Sequence, residues 1–367
     1  MADTTRLRVA GGSPYEVVVG REVLGELTAM LGPGVQRVAV VHPEVLGKQT
    51  AAVLERLDDE YQLLDLPVPD SEAAKAAPVA ARCWDRLGEA GFTRSDAVVT
   101  VGGGGTTDLG GFVAATWLRG VRVVHVPTTL LGMVDAAIGG KTGINTAAGK
   151  NLVGAFHEPA GVLCDLDVLG TLSRAELASG LGEVIKCGFI ADPEILRLVE
   201  SGPEAALDPS SPVLRELVER AVAVKIEIVA SDLRETGHSD GRIGREALNY
   251  GHTMGHVIER VTDYGMRHGE AVGLGMVFAA ELARRTGHLD DETTARHARV
   301  LALVDLPMRW RGAPFEELLA TMRLDKKSRG DLLRFVVLDG LADPTILEGP
   351  DEALLRSAYD AMAGGFR

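Results

Sequence analysis

Three histidines and one glutamate have the residue types and spacing of a metal site. His252 and His256 are four residues apart, and His268 follows in Arg267-His268-Gly269-Glu270. On a helix, that separation places two imidazoles on one face, one turn apart. Neutral imidazole is the commonest side-chain ligand of a catalytic divalent metal. Such a site takes three protein ligands and leaves room for substrate. The plainer reading of the pair is two hydrogen-bonded surface histidines. Glu183 lies in the otherwise apolar stretch Gly180-Leu181-Gly182-Glu183-Val184-Ile185. An unpaired carboxylate is costly to bury there, and a metal would remove that cost. Glu183, His252 and His268 form an oxygen-plus-two-nitrogen set that suits catalytic zinc. Lys186, one turn on from Glu183, points to the same side; the plainer reading of that pair is an intrahelical ion pair.

A second group of residues suits anions. The run Gly102-Gly103-Gly104-Gly105-Thr106-Thr107-Asp108 follows a strand candidate at 97–101 and precedes a helical pattern at 109–117. Glycines there let backbone approach a ligand, and the N–H groups opening a helix can hold a pyrophosphate. The spacing departs from the G-x-G-x-x-G fingerprint, and a tight turn without ligand is the plainer alternative. Glu72 and Lys75, beyond another strand, could meet a ribose and a phosphate, or could belong to a solvated loop. Lys141 and Lys150 stand beside glycines in what read as loops, with Asn151 adjacent. Glycine loops bring backbone N–H and ammonium groups toward one anion.

These residues need two kinds of scaffold. Apolar runs at 37–41, 62–66, 97–101 and 121–126 alternate with helical patterns near 44–58 and 79–90, which predicts a parallel sheet covered on both faces. From about residue 173 long helical patterns dominate, at 175–189, 212–231, 248–261 and 270–286. The reading is an α/β half over 1–172 and a mainly α-helical half over 173–367. With 367 residues, the chain is long enough for two cores. A hydrophobic content of 46% with 25% charged residues is that of a globular protein. A net charge of −14 argues against a nucleic-acid partner. Cys83, Cys164 and Cys187 are widely spaced and read as free thiols of a reducing compartment. No apolar run predicts a signal core or membrane span, so the expected location is cytoplasmic.

In this order the segments resemble the 3-dehydroquinate synthase family over nearly the whole length. The resemblance is carried by Thr116-Trp117-Leu118-Arg119-Gly120-Val121, Val126-Pro127-Thr128-Thr129-Leu130-Leu131, 139–145, 149–156, 182–186, 248–256, 268–275 and Asp325-Lys326-Lys327. It implies a Rossmann-like α/β N-terminal domain binding NAD and a helical C-terminal domain binding metal and substrate, in a homodimer. It also implies one zinc or cobalt ion per subunit. The implied substrate is the sugar phosphate 3-deoxy-D-arabino-heptulosonate 7-phosphate, and the products are 3-dehydroquinate and phosphate.

The resemblance puts the metal on Glu183, His252 and His268. It leaves His256 to proton transfer and phosphate contact. Lys141, Asn151 and Arg119 match phosphate contacts, with Arg119 reaching in from the partner subunit. Asp135, Lys186, Lys225, Arg245, Asn249 and Lys327 match contacts to the substrate's carboxylate and hydroxyls. Glu235 matches a proton acceptor. Glu72, Lys75, Gly104, Gly105, Thr106, Thr107, Asp108, Thr128, Thr129, Lys141, Lys150 and Thr171 are the expected NAD-binding residues. The chain departs from the family in a longer polar segment at 234–245, in Leu233 where an acid is usual, and in Gly105-Thr106-Thr107. These departures keep open a relative acting on the amino analogue. Arg245, Lys225 and Lys327 argue for a carboxylate-bearing substrate against other sugar phosphate cyclases. A metal-dependent polyol or alcohol dehydrogenase would release NADH at each turnover and would not need Lys141, Asn151 and Arg119. A non-catalytic NAD-binding regulator would not need Glu183, His252, His256 and His268.

Overall fold

The computed structural model describes residues 4–232, 243–326 and 332–364, and the chain divides into two compact units, Met1–Leu172 and Ser173–Arg367. Glu235, Lys327, Leu233 and most of the polar 234–245 segment lie outside the described residues.

The first unit contains β1 (Thr5–Val9), β2 (Tyr15–Gly20), α1 (Leu27–Leu31), β3 (Arg37–Pro43), α2 (Gly47–Asp58) and β4 (Gln62–Val68). It continues with α3 (Ala77–Glu89), β5 (Ala97–Gly102), α4 (Gly104–Thr116), β6 (Arg122–Pro127), β7 (Lys141–Thr146), β8 (Gly149–Phe156) and β9 (Gly161–Asp165). Seven strands form one sheet in the order β1-β2-β9-β6-β5-β3-β4. Only the β1–β2 pair is antiparallel. Successive residues of a strand face opposite sides. Val38 and Val40 accordingly join Leu27, Leu31, Val53 and Leu57 in one core, while Ala39 and Val41 join Cys83, Leu87, Leu109 and Val113 in the other. The unbroken apolar runs of β3 and β5 are thereby explained, since both faces are covered.

The glycine run is placed differently from the sequence expectation. Gly104 and Gly105 form the first turn of α4, with Gly103 as its N-cap. Lys141 and Lys150 are also not in loops. They lie on the antiparallel β7–β8 hairpin, which pairs Lys141 with Phe156 and Ile144 with Val153. The sequence reading did not include the β1–β2 pair or this hairpin, although β2 carries the buried run Val17-Val18-Val19. Cys83, Cys164 and Cys187 are buried free thiols.

The second unit is mainly helical. Its elements are α5 (Arg174–Ile190), α6 (Pro193–Ser201), α7 (Pro203–Ala206), α8 (Pro212–Ser231), α9 (His252–Val261), α10 (His268–Arg285), α11 (Asp291–Leu303), α12 (Phe315–Lys326) and α13 (Glu352–Gly364), with a ribbon of β10 (Arg334–Leu338) and β11 (Pro344–Glu348). Ser173 and Glu176 form a capping box that starts α5. From Leu177 to Ile190 this helix is buried on every side, as is α10 from Ala271 to Ala283. A helix without a solvent face belongs at the centre of its unit. Around α10 pack α5, α9, α11, α13 and β10. The expected helix at 248–261 is broken. A 3₁₀ turn, Arg245–Asn249, is separated from α9 by Gly251, whose φ of 80° stops one and starts the other. No helix among the described residues is long and apolar enough to cross a membrane.

Candidate metal centre and anion-binding elements

The centre of the second unit is set by close backbone approaches. A Cβ at Gly269 would lie 1.7 Å from the carbonyl oxygen of Ser179 on α5. Any larger residue would therefore push the start of α10 away. The Gly269 amide donates to Ser179 Oγ at 3.1 Å, fixing the same contact. A Cβ at Gly275 would lie 1.8 Å from the Gly251 carbonyl, which seats α10 against the start of α9. These contacts gather the first residue of α9, His252, the first residue of α10, His268, and Glu183 of α5.

The resulting geometry is compact. Glu183 Oε1 lies 3.6 Å from His252 Nε2 and 3.4 Å from His268 Nε2. One donor atom from each of Glu183, His252 and His268 falls within 4.8 Å of the others. The His252 and His268 ring centres are 5.3 Å apart, and His256 is 5.2 Å from His252. Glu183 is 1% exposed, whereas His256 is exposed to solvent. His252 Nδ1 lies 3.2 Å from the Tyr250 carbonyl. A carbonyl only accepts, so Nδ1 carries the proton and Nε2 keeps its lone pair facing Glu183.

Electrostatics divide the two imidazoles. Burial, aided by the nearby Lys186 charge, pushes His252 down to about 3. Burial also acts to lower His268, but Glu183 and Glu259 outweigh it and hold that ring at about 10. Without a metal, the acid pair therefore keeps a proton on His268. A divalent cation meets the same demand through an oxygen and two nitrogens, and the donor set fits zinc or cobalt. Glu183 also pairs with Lys186, one turn along α5. The ion pair with Lys186 is therefore present, on the same acid that faces the two imidazoles.

Three cationic side chains are buried in the same unit. Lys186 and Arg245 are each 1% exposed and Lys225 is 6% exposed. They come from α5, the 3₁₀ turn and α8, which pack on one another. Asn249 ends that turn and is half-buried. Burying cations is expensive unless anions meet them, and Glu183 meets Lys186.

The first unit assembles a separate network. Lys75, 2% exposed, donates to Asp108 Oδ2 and to Asn151 Oδ1, both at 2.5 Å. Burial pushes Asp108 up to about 6 even though Lys75 opposes the shift. Asn145 Nδ2 donates to Glu72 at 2.6 Å, Asn145 Oδ1 accepts from the Asn151 amide at 3.1 Å, and Lys150 pairs with Glu72 at 3.4 Å. Glu72, Lys75, Asp108, Lys150 and Asn151 are thus one connected set. Thr106 and Thr107 lie in the first turn of α4, where the Thr107 hydroxyl donates to the Gly104 carbonyl. Thr128 and Thr129 follow β6, and Thr129 Oγ1 accepts from the Gly132 amide at 3.0 Å. Asp135 is half-buried in the helical turn Gly132–Ala136. Lys141 is exposed on β7. Thr171 stands apart near α2, its hydroxyl donating to the Val168 carbonyl and accepting from Gln49. Arg119 is exposed, and its φ of 68° follows 49° at Leu118. Two successive left-handed non-glycine residues mark a strained turn.

Sequence reasoning did not single out Glu259. It is 5% exposed on α9, and its Oε1 lies 3.4 Å from His268 Nδ1. The available signal was an acid in the apolar run Val257-Ile258-Glu259, the same signal that drew attention to Glu183.

This fold recurs among solved structures. The chain superposes on a 2-deoxy-scyllo-inosose synthase structure complexed with carbaglucose-6-phosphate, NAD+ and Co2+, with a TM-score of 0.87, 23% identity, and coverage of 99% of this chain and 100% of that one. It is equally similar, at a TM-score of 0.87 and 24% identity, to 2-epi-5-epi-valiolone synthase from Streptomyces hygroscopicus subsp. jinggangensis with NAD+ and Zn2+ bound, over 98% of this chain and 99% of that one. At such identity these likenesses speak for the fold alone. Sequence speaks for the family. The 3-dehydroquinate synthase N-terminal model matches residues 65–179 and the C-terminal model matches 180–328. The 3-dehydroquinate synthase of Thermobifida fusca (strain YX) is 60% identical over 362 residues, covering 98% of this chain and 97% of that protein. The chain belongs to the 3-dehydroquinate synthase family.

Proposed function

We propose that this chain converts 3-deoxy-D-arabino-heptulosonate 7-phosphate into 3-dehydroquinate and inorganic phosphate, a carbon–oxygen lyase reaction of the shikimate pathway. The observation that carries the reading is the convergence of Glu183, His252 and His268 in a chain 60% identical, over 98% of its length, to a 3-dehydroquinate synthase. When bound, NAD would supply a reversible hydride acceptor, and a divalent zinc or cobalt ion would acidify and orient the substrate hydroxyl whose carbon gives up that hydride.

The chain's own residues supply binding and proton handling. Glu183, His252 and His268 hold the metal, and Lys186, paired with Glu183, also reaches the substrate's hydroxyls. Arg245 and Lys225, buried and cationic, bind the substrate's carboxylate and hydroxyls together with Asn249 and Asp135. Lys141, Asn151 and Arg119 bind the phosphate. Once a ketone has acidified the neighbouring carbon, phosphate leaves by β-elimination, and its own oxygens can take the proton. The cationic residues therefore act chiefly by positioning it. His256, exposed beside the metal ligands, moves protons at the reacting oxygens. Glu72, Lys75, Asp108 and Lys150 bind the nucleotide with the Gly104–Gly105 turn, Thr106, Thr107, Thr128, Thr129 and Thr171. The working protein is a cytoplasmic homodimer, with Arg119 contributed across the interface.

The experiment is a phosphate-release assay with NAD and zinc, followed simultaneously at the NADH absorbance. Catalytic phosphate release without net NADH supports the proposal. Stoichiometric NADH would mean a dehydrogenase. Release from the amino analogue alone would mean the amino-substrate relative.

A further inference from the structure

We infer that Glu259 is a positioning residue of the metal centre, holding the Nδ1–H of His268 so that Nε2 is presented toward Glu183. The inference rests on the reading of Glu183, His252 and His268 as the metal ligands. His252, His256 and Glu259 recur at i, i+4 and i+7 on α9, so all three share one helix face. Glu259 is 5% exposed, and a carboxylate that deeply buried needs cationic or N–H partners.

The geometry gives His268 two acids, one for each nitrogen. Nδ1 lies 3.4 Å from Glu259 Oε1, and Nε2 lies 3.4 Å from Glu183 Oε1. To bind a metal, one nitrogen must release its proton while the other keeps it. The acid on Nδ1 fixes which. His252 shows the same arrangement with a weaker acceptor, its Nδ1 facing the Tyr250 carbonyl and its Nε2 facing Glu183. Both rings are thus held from behind at Nδ1, and both direct Nε2 to one place. The two acceptors differ in charge. A full carboxylate behind His268 makes that ring the more basic ligand as well as the better oriented one, and removing such a partner typically weakens metal binding 10- to 100-fold.

A competing arrangement is present in the same residues. His256, Glu259 and His268 also bring three donor atoms within 4.8 Å, which would make Glu259 itself a ligand. We favour the supporting role because Glu183 is the more deeply buried acid and two imidazole Nε2 atoms converge on it.

The test measures zinc affinity of the full chain by competition with a chromophoric chelator, alongside the visible spectrum of the Co2+ form and thermal unfolding of the metal-free protein. The variants are Glu259→Gln, Glu259→Ala, His252→Ala and His256→Ala. The proposal expects zinc affinity to fall about 10-fold in Glu259→Gln and up to about 100-fold in Glu259→Ala. The Co2+ bands should shift in both, and the metal-free Glu259→Gln protein should unfold as wild type does. His252→Ala should lose zinc altogether, and His256→Ala should keep it. Wild-type zinc affinity in both Glu259 variants, with zinc lost in His252→Ala, would overturn the role of Glu259 and leave the metal centre standing. Destabilised metal-free Glu259→Gln with unchanged zinc affinity would make Glu259 merely structural. Zinc retained in His252→Ala but lost in both His256→Ala and Glu259→Ala would overturn the ligand assignment itself.

Discussion

Gly269→Ala separates packing from helix propensity at the metal centre. The substitution adds one methyl group within a helix, where alanine is intrinsically better than glycine by about 1 kcal/mol. Against that stands the Ser179 carbonyl oxygen, 1.7 Å from where the methyl carbon must go. Relief to even 3.0 Å requires a relative movement of roughly 1.3 Å between α5 and the start of α10. Overpacking of this kind costs typically 1–3 kcal/mol, so the net effect is a destabilisation of about 0–2 kcal/mol. The effect on metal should be larger. Ligand distances tolerate only about 0.2 Å, and the movement carries His268 away from Glu183. We expect zinc affinity to fall at least about 100-fold, equivalent to roughly 2.7 kcal/mol. Gly273→Ala is the matched control on the same helix, since its methyl would meet only the Leu301 side chain at 3.4 Å. It should be neutral or stabilising, with wild-type zinc binding. Chelator competition and thermal unfolding measure both. Wild-type zinc affinity in Gly269→Ala would refute the claim that this backbone contact sets the donor geometry.

Three further outcomes follow from other sites. Lys75→Met should destabilise the protein by about 2 kcal/mol near pH 8, because it leaves the half-buried Asp108 without its ammonium partner. Urea melts should show that deficit shrinking toward pH 5, where Asp108 protonates, since its carboxyl already sits near 6 with the lysine present. His297 is fully buried, accepts or donates at Tyr250 Oη, stacks on Phe189, and is pushed down to about 4 by burial. Its folded-state value lies below the unfolded one, so its contribution is present above pH 6.5 and lost as pH falls toward 4, by about 1.4 kcal/mol per unit. The stability gap between wild type and His297→Gln should therefore narrow by about 2 kcal/mol from pH 7.5 to pH 5, and a constant gap would contradict the assignment. His256→Ala should retain stoichiometric zinc while phosphate release slows by about 10²–10⁴-fold, the usual contribution of a positioned proton-transfer group.

The parallel sheet was legible because β3, β5 and β6 are buried on both faces and carry closely spaced valines. Glu183 was legible for a related reason, as the one acid of the buried run Leu177–Ile190. The β7–β8 hairpin was not. Its strands are held by pairing with each other and lie largely exposed along β8, so no apolar alternation marks them. The break at Gly251 was hidden too, because the periodicity of 248–261 continues across a residue whose left-handed conformation answers to the packing of α10. Lys75 read as a phosphate contact or a solvated loop residue, and is a buried partner of Asp108 and Asn151, which lie 33 and 76 residues away. Glu259 shows the same limit. Its burial could be suspected from Val257 and Ile258, but its partner His268 belongs to another helix. Local patterns reveal which residues are costly to bury; tertiary contacts decide what meets them.

The most direct test of the account is anomalous diffraction at the zinc edge from crystals of the zinc-loaded protein. One strong peak per chain should appear about 2.0–2.2 Å from a Glu183 oxygen and from Nε2 of His252 and His268, with Nδ1 of His268 on Glu259. A peak bound instead to His256 and Glu259, or none at saturating zinc, would contradict it.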